Sequence, residues 1–377
     1  MHPEEVAKAS EIKDFAIRSI EGAGTFIIFN INMFGARGPS GKIFTVKVKL
    51  FIFQISILRF MKKIFFVFAC FLMVAAVDAQ KFPDSYTEGK YVTVNDAKLY
   101  VVIVGSGEPL IIIPGGPGGA HPGYRRFDTL AKDNQLIFYD AFGRGKSDTA
   151  KDVREYSLTR DIEDVEGLRV ALNLEKLNVL GHSYGGVVAQ GYAIKYPSHV
   201  SHLILANTFH SFIMWQANDD NSNHEIKTNY PEVWDSLMII REAGAISSDA
   251  KHQELYGKVP YGFLYAYNPE NFINRGKKPY PNSFNSKLYY QMVGKDGDFI
   301  VGSDIGNFDF RKELKELKMP ILIYGGRYDR VAVPAMMVKY KEYCPQAQFV
   351  MFEKSGHNPQ IEEPGKLFQL IEKFLHQ

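Results

Sequence analysis

Residues 177–186 read LNVLGHSYGG, an apolar segment that runs directly into a glycine-rich turn. The turn matches the pattern Gly-x-Ser-x-Gly at residues 181–185, and Ser183 is its central residue. Residues 177–180 are typical of a buried strand, and residues 187–196 are typical of a helix. In this context the pattern predicts a nucleophile elbow, a sharp strand-to-helix turn that presents the Ser183 hydroxyl at the carboxyl edge of a sheet. A glycine turn without chemistry is the alternative.

The rest of the chain supplies the sheet in which this turn would lie. Asn95-Asp96 predicts a hairpin between two antiparallel strands. Further along, short apolar segments alternate with helical ones, which indicates a mostly parallel sheet with helices on both faces. We predict strands at residues 91–95, 98–105, 110–113, 135–139, 177–180, 203–206, 321–324 and 348–352, and helices at residues 157–174, 187–196, 334–343 and 365–374.

The alternation lapses between residues 209 and 317, where Tyr, Phe, Trp, Asn and Pro are frequent. We therefore predict a mainly helical cap insertion at residues 209–317. The α/β core would then consist of residues 80–208 and 318–377.

The composition argues against several functional classes. The chain has 377 residues, a formal net charge of +2 and two cysteines, Cys70 and Cys344. So small a net charge gives no electrostatic basis for binding nucleic acid or an anionic membrane surface. Two cysteines cannot provide the spacing of a cysteine metal site. We predict no metal and no cofactor.

Residues 61–79, MKKIFFVFACFLMVAAVDA, have the pattern of a signal peptide. Lys62 and Lys63 precede an apolar run of the appropriate length, and small residues at its end suit cleavage after Ala79. We expect export to the periplasm or the cell exterior, with no stable membrane association after cleavage. Residues 1–60 would be a non-native or disordered extension.

A membrane anchor is the alternative for this N-terminal segment. It would combine residues 50–58 with the apolar run that follows. Arg59, Lys62 and Lys63 would interrupt such a span, and the apolar run alone is short for crossing a bilayer.

Two later residues can activate the serine. A serine hydroxyl is a weak nucleophile, so it needs a base. His357 lies in a glycine-containing loop just after the last predicted strand, and Asp329 follows the strand before it. We predict His357 as the base and Asp329 as the acid that orients it, although Asp329 could instead be a surface residue paired with Arg330. The remaining histidines that we considered are His182, expected to point away from Ser183, and His199, His202, His210 and His376, expected at the surface or at helix ends.

The glycine-rich segment PGGPGG, residues 114–119, has two functional interpretations. It could cradle a phosphate or donate a backbone N–H to an oxyanion. No lysine and hydroxyl follow it at the spacing of a phosphate-binding loop. The Gly-Lys-Ser at residues 145–147 also fails that motif, because Asp140 stands where the first glycine is needed. We predict an oxyanion hole formed by the backbone N–H groups of Gly116 and Tyr184.

These motifs together resemble the α/β hydrolases, and within them the proline iminopeptidase group. The group's loop His-Gly-Gly-Pro-Gly is matched at residues 114–118, and its Asp-x-x-Gly-x-Gly-x-Ser is matched at residues 140–147. The order Ser183, Asp329, His357 is also the order of nucleophile, acid and base in α/β hydrolases. The resemblance covers residues 91–377 and implies acyl transfer without a cofactor.

Two positions depart from the group's pattern. Pro114 replaces the leading histidine, and Arg330 follows the catalytic acid where some members have an acidic residue. The resemblance implies that carboxylates hold the free amine of the substrate. The candidates in the cap are Glu225, Glu232, Asp235, Glu242 and Asp298, among which the sequence does not choose.

Three functions follow as hypotheses. The first is an exported aminopeptidase that releases proline or another small N-terminal residue from short peptides. The second is an esterase, lactonase or other amide hydrolase with the same fold. The third is a binding protein that has lost catalysis. The substrate would be a small peptide or a small acyl compound, and neither the residues that bind it nor the oligomeric state can be predicted from the sequence.

Overall fold

The computed structural model describes residues 88–272 and 280–377. They belong to one compact unit that spans Pro83–Gln377. The predicted signal peptide and the predicted extension, residues 61–79 and 1–60, lie outside the described residues. Among the residues described, no helix has both the length and the apolar character needed to cross a membrane.

The centre of the unit is an eight-stranded sheet in the order β1-β2-β4-β3-β5-β6-β7-β8. Strands β1 and β2 form the predicted hairpin, and β2 also pairs with β4 in the antiparallel sense. All other neighbours are parallel. The strands are β1 Lys90–Val94, β2 Ala97–Val104, β3 Glu108–Ile113, β4 Asn134–Asp140, β5 Leu177–His182, β6 Val200–Ala206, β7 Ile321–Gly326 and β8 Gln348–Phe352.

Helices cover both faces of the sheet, as the sequence predicted. In the described residues they are α1 Leu158–Ala171, α2 Tyr184–Lys195, α3 Phe212–Asn229, α4 Pro231–Glu242, α5 Ala250–Tyr256, α6 Tyr261–Tyr265, α7 Ser286–Val293, α8 Pro334–Met337, α9 Tyr340–Tyr343, α10 Pro359–Glu362 and α11 Pro364–Leu375. Short 3-10 helices occupy Val153–Glu155, Pro197–His199, Pro269–Phe272, Ile305–Asn307 and Glu313–Glu316, and a longer one spans His121–Lys132.

The side-chain alternation of β3 shows how the two layers form. Ile111 and Ile113 face the apolar cluster that includes α1 and α2. Leu110 and Ile112 face the other cluster, which includes the 3-10 helix at 121–132 and α11. Because successive side chains of a strand point to opposite faces, one short apolar run supplies both layers. Such a continuous apolar run is typical of a strand buried on both sides.

Two local predictions differ from the structure. The predicted helix at 334–343 is two one-turn helices, α8 and α9. The 3-10 helix His121–Lys132 was not predicted, because Pro122 and Gly123 in its first turn obscure a helical pattern. The other strands and helices lie within a few residues of their predicted bounds.

The segment between β6 and β7 contains helices α3 to α7 in its described part. Its first helix is capped by Ser211, whose hydroxyl accepts a hydrogen bond from the Met214 N–H at 3.4 Å. The segment is therefore mainly helical, as predicted, while its bounds as a cap domain, 209–317, stay a prediction.

Candidate active site

Ser183 lies at the junction of β5 and α2, at the carboxyl end of a central strand. Its backbone is in an unusual conformation, with φ 56° and ψ −127°. A Cβ atom at Gly181 would overlap the Gly185 carbonyl, and one at Gly185 would overlap the Ile113 carbonyl. The two glycines of the pattern are thus required by close backbone approach. A strained backbone of this kind is common at functional sites.

Asp329 and His357 meet at the same edge of the sheet. Asp329 follows β7, His357 follows β8, and both are buried. The His357 ring nitrogen Nδ1 lies 2.8 Å from the Asp329 carboxylate oxygen Oδ2. The other carboxylate oxygen accepts hydrogen bonds from the N–H groups of Val331 at 2.8 Å and Ala332 at 2.9 Å. Asp329 is therefore an orienting partner of His357, and not the surface partner of Arg330 that the sequence left possible.

The environment keeps the Asp329 carboxylate ionised. Burial by itself would raise the pKa of this carboxyl group, but the adjacent His357 ring and the hydrogen bonds to the carboxylate hold the pKa below its ordinary value. Hydrogen bonds to the charged form favour it in this way. A charged Asp329 is what a base with its proton on Nδ1 requires.

Asn207 is a residue of the site that the sequence analysis missed. It directly follows β6, is fully buried, and has φ 45°. Its side-chain N–H₂ donates to the Asp329 carboxylate at 2.8 Å and to the Gly356 carbonyl at 3.2 Å. The available signal was a polar residue just after a buried parallel strand, since the carboxyl ends of such strands form ligand sites.

The glycine-rich loop after β3 approaches the serine directly. A Cβ atom at Gly115 would lie 2.8 Å from the Ser183 Cβ. The Gly115 N–H donates to the Tyr124 hydroxyl at 2.7 Å. The Gly116 N–H, by contrast, has no acceptor among the described residues. The first N–H groups of a helix also lack an intrahelical acceptor, and Tyr184 begins α2. Gly116 directly follows the glycine that approaches Ser183, Tyr184 directly follows Ser183, and the N–H groups of both lack an acceptor in the described part of the chain, so the predicted oxyanion hole stays a prediction.

A buried ion pair connects the glycine-rich loop at residues 114–119, the oxyanion loop, to Tyr184. The Arg144 guanidinium binds both Asp161 carboxylate oxygens at 2.7 Å, and its Nε–H donates to the Pro117 carbonyl at 2.8 Å. Asp161 also accepts a hydrogen bond from the Tyr184 hydroxyl at 2.6 Å. The ion pair therefore links the loop at Pro117 to Tyr184. Such bidentate pairs add geometric definition.

The Gly-Lys-Ser turn at 145–147 is structural. The Lys146 N–H donates to the Asp140 carboxylate at 2.9 Å, and the His121 N–H donates to it at 3.0 Å. A carboxylate of the chain thus occupies the position where a bound phosphate would accept these donors, which agrees with rejecting the phosphate-loop interpretation.

Two of the histidines considered in the sequence are buried. His182 was expected to point away from Ser183; its ring contacts Tyr124 and packs 4.8 Å from the His357 ring. His210 was expected at the surface or at a helix end; it lies two residues before α3 and is fully buried against Tyr340 and Tyr343. His182 is the last residue of β5 and His210 follows β6, and the sequence carries no signal for which way such a histidine turns.

The cap acids differ widely in their surroundings. Glu225 pairs with Arg330 at 3.1 Å, and Arg330 also donates to the Phe263 carbonyl at 2.9 Å. Three further candidates are exposed to solvent: Glu232, Asp235 and Glu242. Asp298 differs from all of these, because its side chain is 12% exposed and accepts a hydrogen bond from the Tyr290 hydroxyl at 3.0 Å.

A second buried carboxylate lies near Asp298 and was missed by the sequence analysis. Asp219, on α3, is 6% exposed, and its Oδ2 is buried without a hydrogen-bond partner among the described residues. Burial raises the pKa of Asp219 well above its ordinary value, and the charge of Asp298 raises it further. Burial also raises the pKa of Asp298 to about 6. Burial raises the pKa of a carboxyl group in this way when nearby positive charge does not outweigh it, and the charge of Arg241 lowers the pKa of Asp298 only in part.

The Tyr265 side chain packs against the base, and the charges of the acidic pair raise its pKa. Its ring packs 5.6 Å from the His357 ring. Burial raises the pKa of Tyr265, and the charges of Asp298, Asp329 and Asp219 each raise it further. Tyr265 therefore packs on the His357 ring and lies within electrostatic range of Asp329, Asp298 and Asp219. Among the residues that the structure describes, no group of His, Cys, Asp or Glu could hold a metal ion.

Known proteins share this architecture. The family model for the alpha/beta hydrolase fold matches residues 108–239 and 245–364. A proline iminopeptidase of Heyndrickxia coagulans is 31% identical over 280 residues, which are 72% of this chain and 92% of that protein. A proline iminopeptidase of Saccharolobus solfataricus is 29% identical over 287 residues, 74% of this chain and 88% of that protein.

Solved structures agree on the fold. The crystal structure of a proline iminopeptidase from Mycobacterium smegmatis has a TM-score of 0.61 to this structure, covering 77% of this chain and 98% of that one at 20% identity. A mostly parallel sheet with a serine turn after its fifth strand defines an α/β hydrolase. The chain belongs to the α/β hydrolase family and, within it, to the group similar to proline iminopeptidases. The resemblance that the motifs predicted is confirmed.

Proposed function

We propose that this protein is a serine aminopeptidase that releases the N-terminal residue of short peptides by acyl transfer. The observation that carries the proposal is the pair Asp219 and Asp298, two largely buried carboxylates that bind no lysine or arginine among the described residues. The His252 Nδ1 lies 3.8 Å from the Asp298 carboxylate. Buried charges in proteins are normally paired. The α-ammonium group of a peptide would supply the missing positive charge.

Ser183, His357 and Asp329 would carry out the chemistry. The Ser183 hydroxyl attacks the first peptide carbonyl, and His357 takes the proton and returns it to the departing amine. Asp329 holds the His357 tautomer and stabilises the imidazolium. Water then attacks the acyl-enzyme by the same route and releases the free amino acid. The N–H groups of Gly116 and Tyr184 would stabilise the oxyanion, each by roughly 3 kcal/mol.

The relatives support the peptidase assignment over a general esterase. Two relatives are proline iminopeptidases at 29–31% identity over most of their length. Pro114 stands where the group's pattern has histidine, and we leave the preferred residue open between proline and other small side chains.

The test compares substrates that differ in the free amine. We expect Pro- and Ala-anilides to be hydrolysed, and their N-acetylated forms to be poor substrates, because an acetyl group removes the positive charge. Short acyl esters should react slowly through the same serine. A preference for the blocked anilides or for the esters would contradict the aminopeptidase function and favour an esterase of this fold.

Export is part of the proposal. The basic and apolar segment at 61–79 supports it. N-terminal sequencing of the protein isolated from its natural source should begin at Gln80, and a start upstream of Met61 would contradict both the signal peptide and the interpretation of residues 1–60.

A further inference from the structure

A continuous series of hydrogen bonds joins the oxyanion loop to the backbone of the base. The Gly115 N–H donates to the Tyr124 hydroxyl at 2.7 Å. The Tyr124 hydroxyl lies 3.0 Å from the His182 Nδ1. The His182 Nε2 lies 2.7 Å from the His357 carbonyl oxygen. The series therefore runs from the loop that faces Ser183 to the main chain of His357.

The acceptor at one end fixes the direction of the series. A carbonyl oxygen can only accept, so the His182 Nε2 carries the proton that it donates to His357. In a neutral imidazole the other nitrogen is then an acceptor. The Tyr124 hydroxyl consequently donates to the His182 Nδ1 while it accepts from Gly115. The Tyr124 hydroxyl and the His182 ring therefore each donate one hydrogen bond and accept one.

Packing and charge hold His182 in this state. Its side chain is 3% exposed, with the Tyr124 ring 5.5 Å away on one side and the His357 ring 4.8 Å away on the other. Burial and the charge of His357 lower the pKa of His182 to about 3. His182 therefore stays neutral while His357 accepts and returns a proton.

We propose that Tyr124 and His182 are positioning residues that set the oxyanion loop and the His357 main chain in one fixed arrangement around Ser183. The inference rests on the proposed function, since it matters only if Ser183 and His357 react. An oxyanion donor must sit within hydrogen-bond distance of the developing charge, and the base must be aligned with the same serine. Small displacements of such groups cost roughly 100-fold in rate.

Three variants test the hydrogen bonds of the series individually. Tyr124→Phe removes both hydrogen bonds of the hydroxyl. His182→Asn keeps an acceptor oxygen near the Nδ1 position and loses the donor to His357. His182→Gln places an amide N–H₂ near the Nε2 position and keeps that donor. Matched controls are Tyr91→Phe, an exposed tyrosine on β1, and His202→Asn on β6, whose Nδ1 contacts Asn178 at 2.9 Å.

Two rates are measured on each variant. The first is the rate at which diisopropyl fluorophosphate phosphorylates Ser183 with release of fluoride, which needs the serine, the base and the oxyanion hole but no particular substrate. The second is the steady-state hydrolysis of Pro-anilide, resolved into kcat and KM. We expect Tyr124→Phe and His182→Asn to lower the labelling rate and kcat roughly 10- to 100-fold with little change in KM. His182→Gln keeps the donor to His357 and loses the acceptor for Tyr124, so we expect a smaller loss than in His182→Asn, and the controls should match the wild type.

The possible outcomes are distinguishable. Wild-type protein that is not labelled at Ser183 would overturn the proposed function itself. Labelled wild type with variants of equal rate would overturn the positioning role alone. Equal losses in His182→Asn and His182→Gln, with unchanged thermal unfolding, would show that bulk at this position matters and not the donor to His357. The unfolding temperature shows whether a variant has lost its fold. If a His182 variant does not fold, Tyr124→Phe, which removes a single oxygen, tests the inference alone.

Discussion

Two buried carboxylate sites of this protein have opposite pKa shifts. The Asp329 carboxyl has its pKa lowered, although it is fully enclosed. The carboxyls of Asp298 and Asp219 have their pKa raised. Burial acts in the same direction at all three, so the difference lies in the partners. Asp329 receives donors from His357, Asn207 and two backbone N–H groups. Among the described residues the acidic pair accepts hydrogen bonds only from the Tyr290 hydroxyl and the Asn218 amide. So small a set of donors is expected of a site whose cation arrives with the substrate.

The comparison also separates the residues that act in the reaction from those that recognise the substrate. Asp329 should matter for every substrate that Ser183 attacks. Asp298 and Asp219 should matter only for substrates that carry a free amine. The following three predictions test this separation, beginning with the largest effect.

Asp329→Asn should lower kcat by roughly 10⁴-fold for both anilides and esters. The amide cannot accept the Nδ1 proton of His357 in the same way, so the wrong tautomer faces Ser183. KM should change little, because Asp329 does not reach the substrate. The measurement is steady-state kinetics on Pro-anilide and on a short acyl ester, with Ser183→Ala as the inactive reference. A loss smaller than tenfold would remove Asp329 from the mechanism.

Asp298→Asn should lower kcat/KM for Pro-anilide by roughly 100-fold, since truncating one partner of a desolvated charge pair costs about 2–5 kcal/mol. Hydrolysis of acyl esters should stay within twofold of the wild type. Glu232→Gln is the matched control, because Glu232 is an exposed acid of the same cap segment. An equal loss on anilides and esters would mean that Asp298 shapes the site without recognising the amine.

Asp298→Asn should also stabilise the protein at neutral pH, but not at pH 4. The folded-state pKa of Asp298 is about 6, above its ordinary value of 3.8. The folded protein therefore holds a proton that the unfolded chain has lost, and stability falls as the pH rises from about 4 to about 6. Above that range the buried charge lowers the free energy of unfolding by its full cost, at most about 3 kcal/mol. The amide is still buried, so we expect a gain of about 1 kcal/mol, measured by urea unfolding at pH 7.5 and at pH 4. A variant that is less stable than the wild type at pH 7.5 would contradict an uncompensated charge.

Several features of the site could be predicted because they depend on local backbone geometry. The glycines around Ser183 permit a turn whose close approaches exclude a side chain, so the motif is visible in five residues. Asp329 and His357 directly follow strands, and parallel strands place their carboxyl ends together. The order of nucleophile, acid and base along the chain could therefore be predicted.

Other features depend on which distant segments meet. Asn207 and Asp219 carry ordinary local patterns and become part of the site only through β6 and α3. Glu225 appeared equivalent to Asp298 in the sequence, yet Arg330 pairs with Glu225, while no lysine or arginine of the described residues forms an ion pair with Asp298. The contacts of His182 could not be predicted, because Tyr124 and His357 are distant from it in the chain.

The sequence by itself determined the fold family, the serine turn and the residue types of the reaction. These follow from backbone conformation and from the alternation of strands and helices, which act over a few residues. The tertiary structure decided which carboxylates are satisfied and which are not. Electrostatic free energy depends on burial and on every charge within several ångströms, and folding brings those charges together from segments that are far apart in the chain.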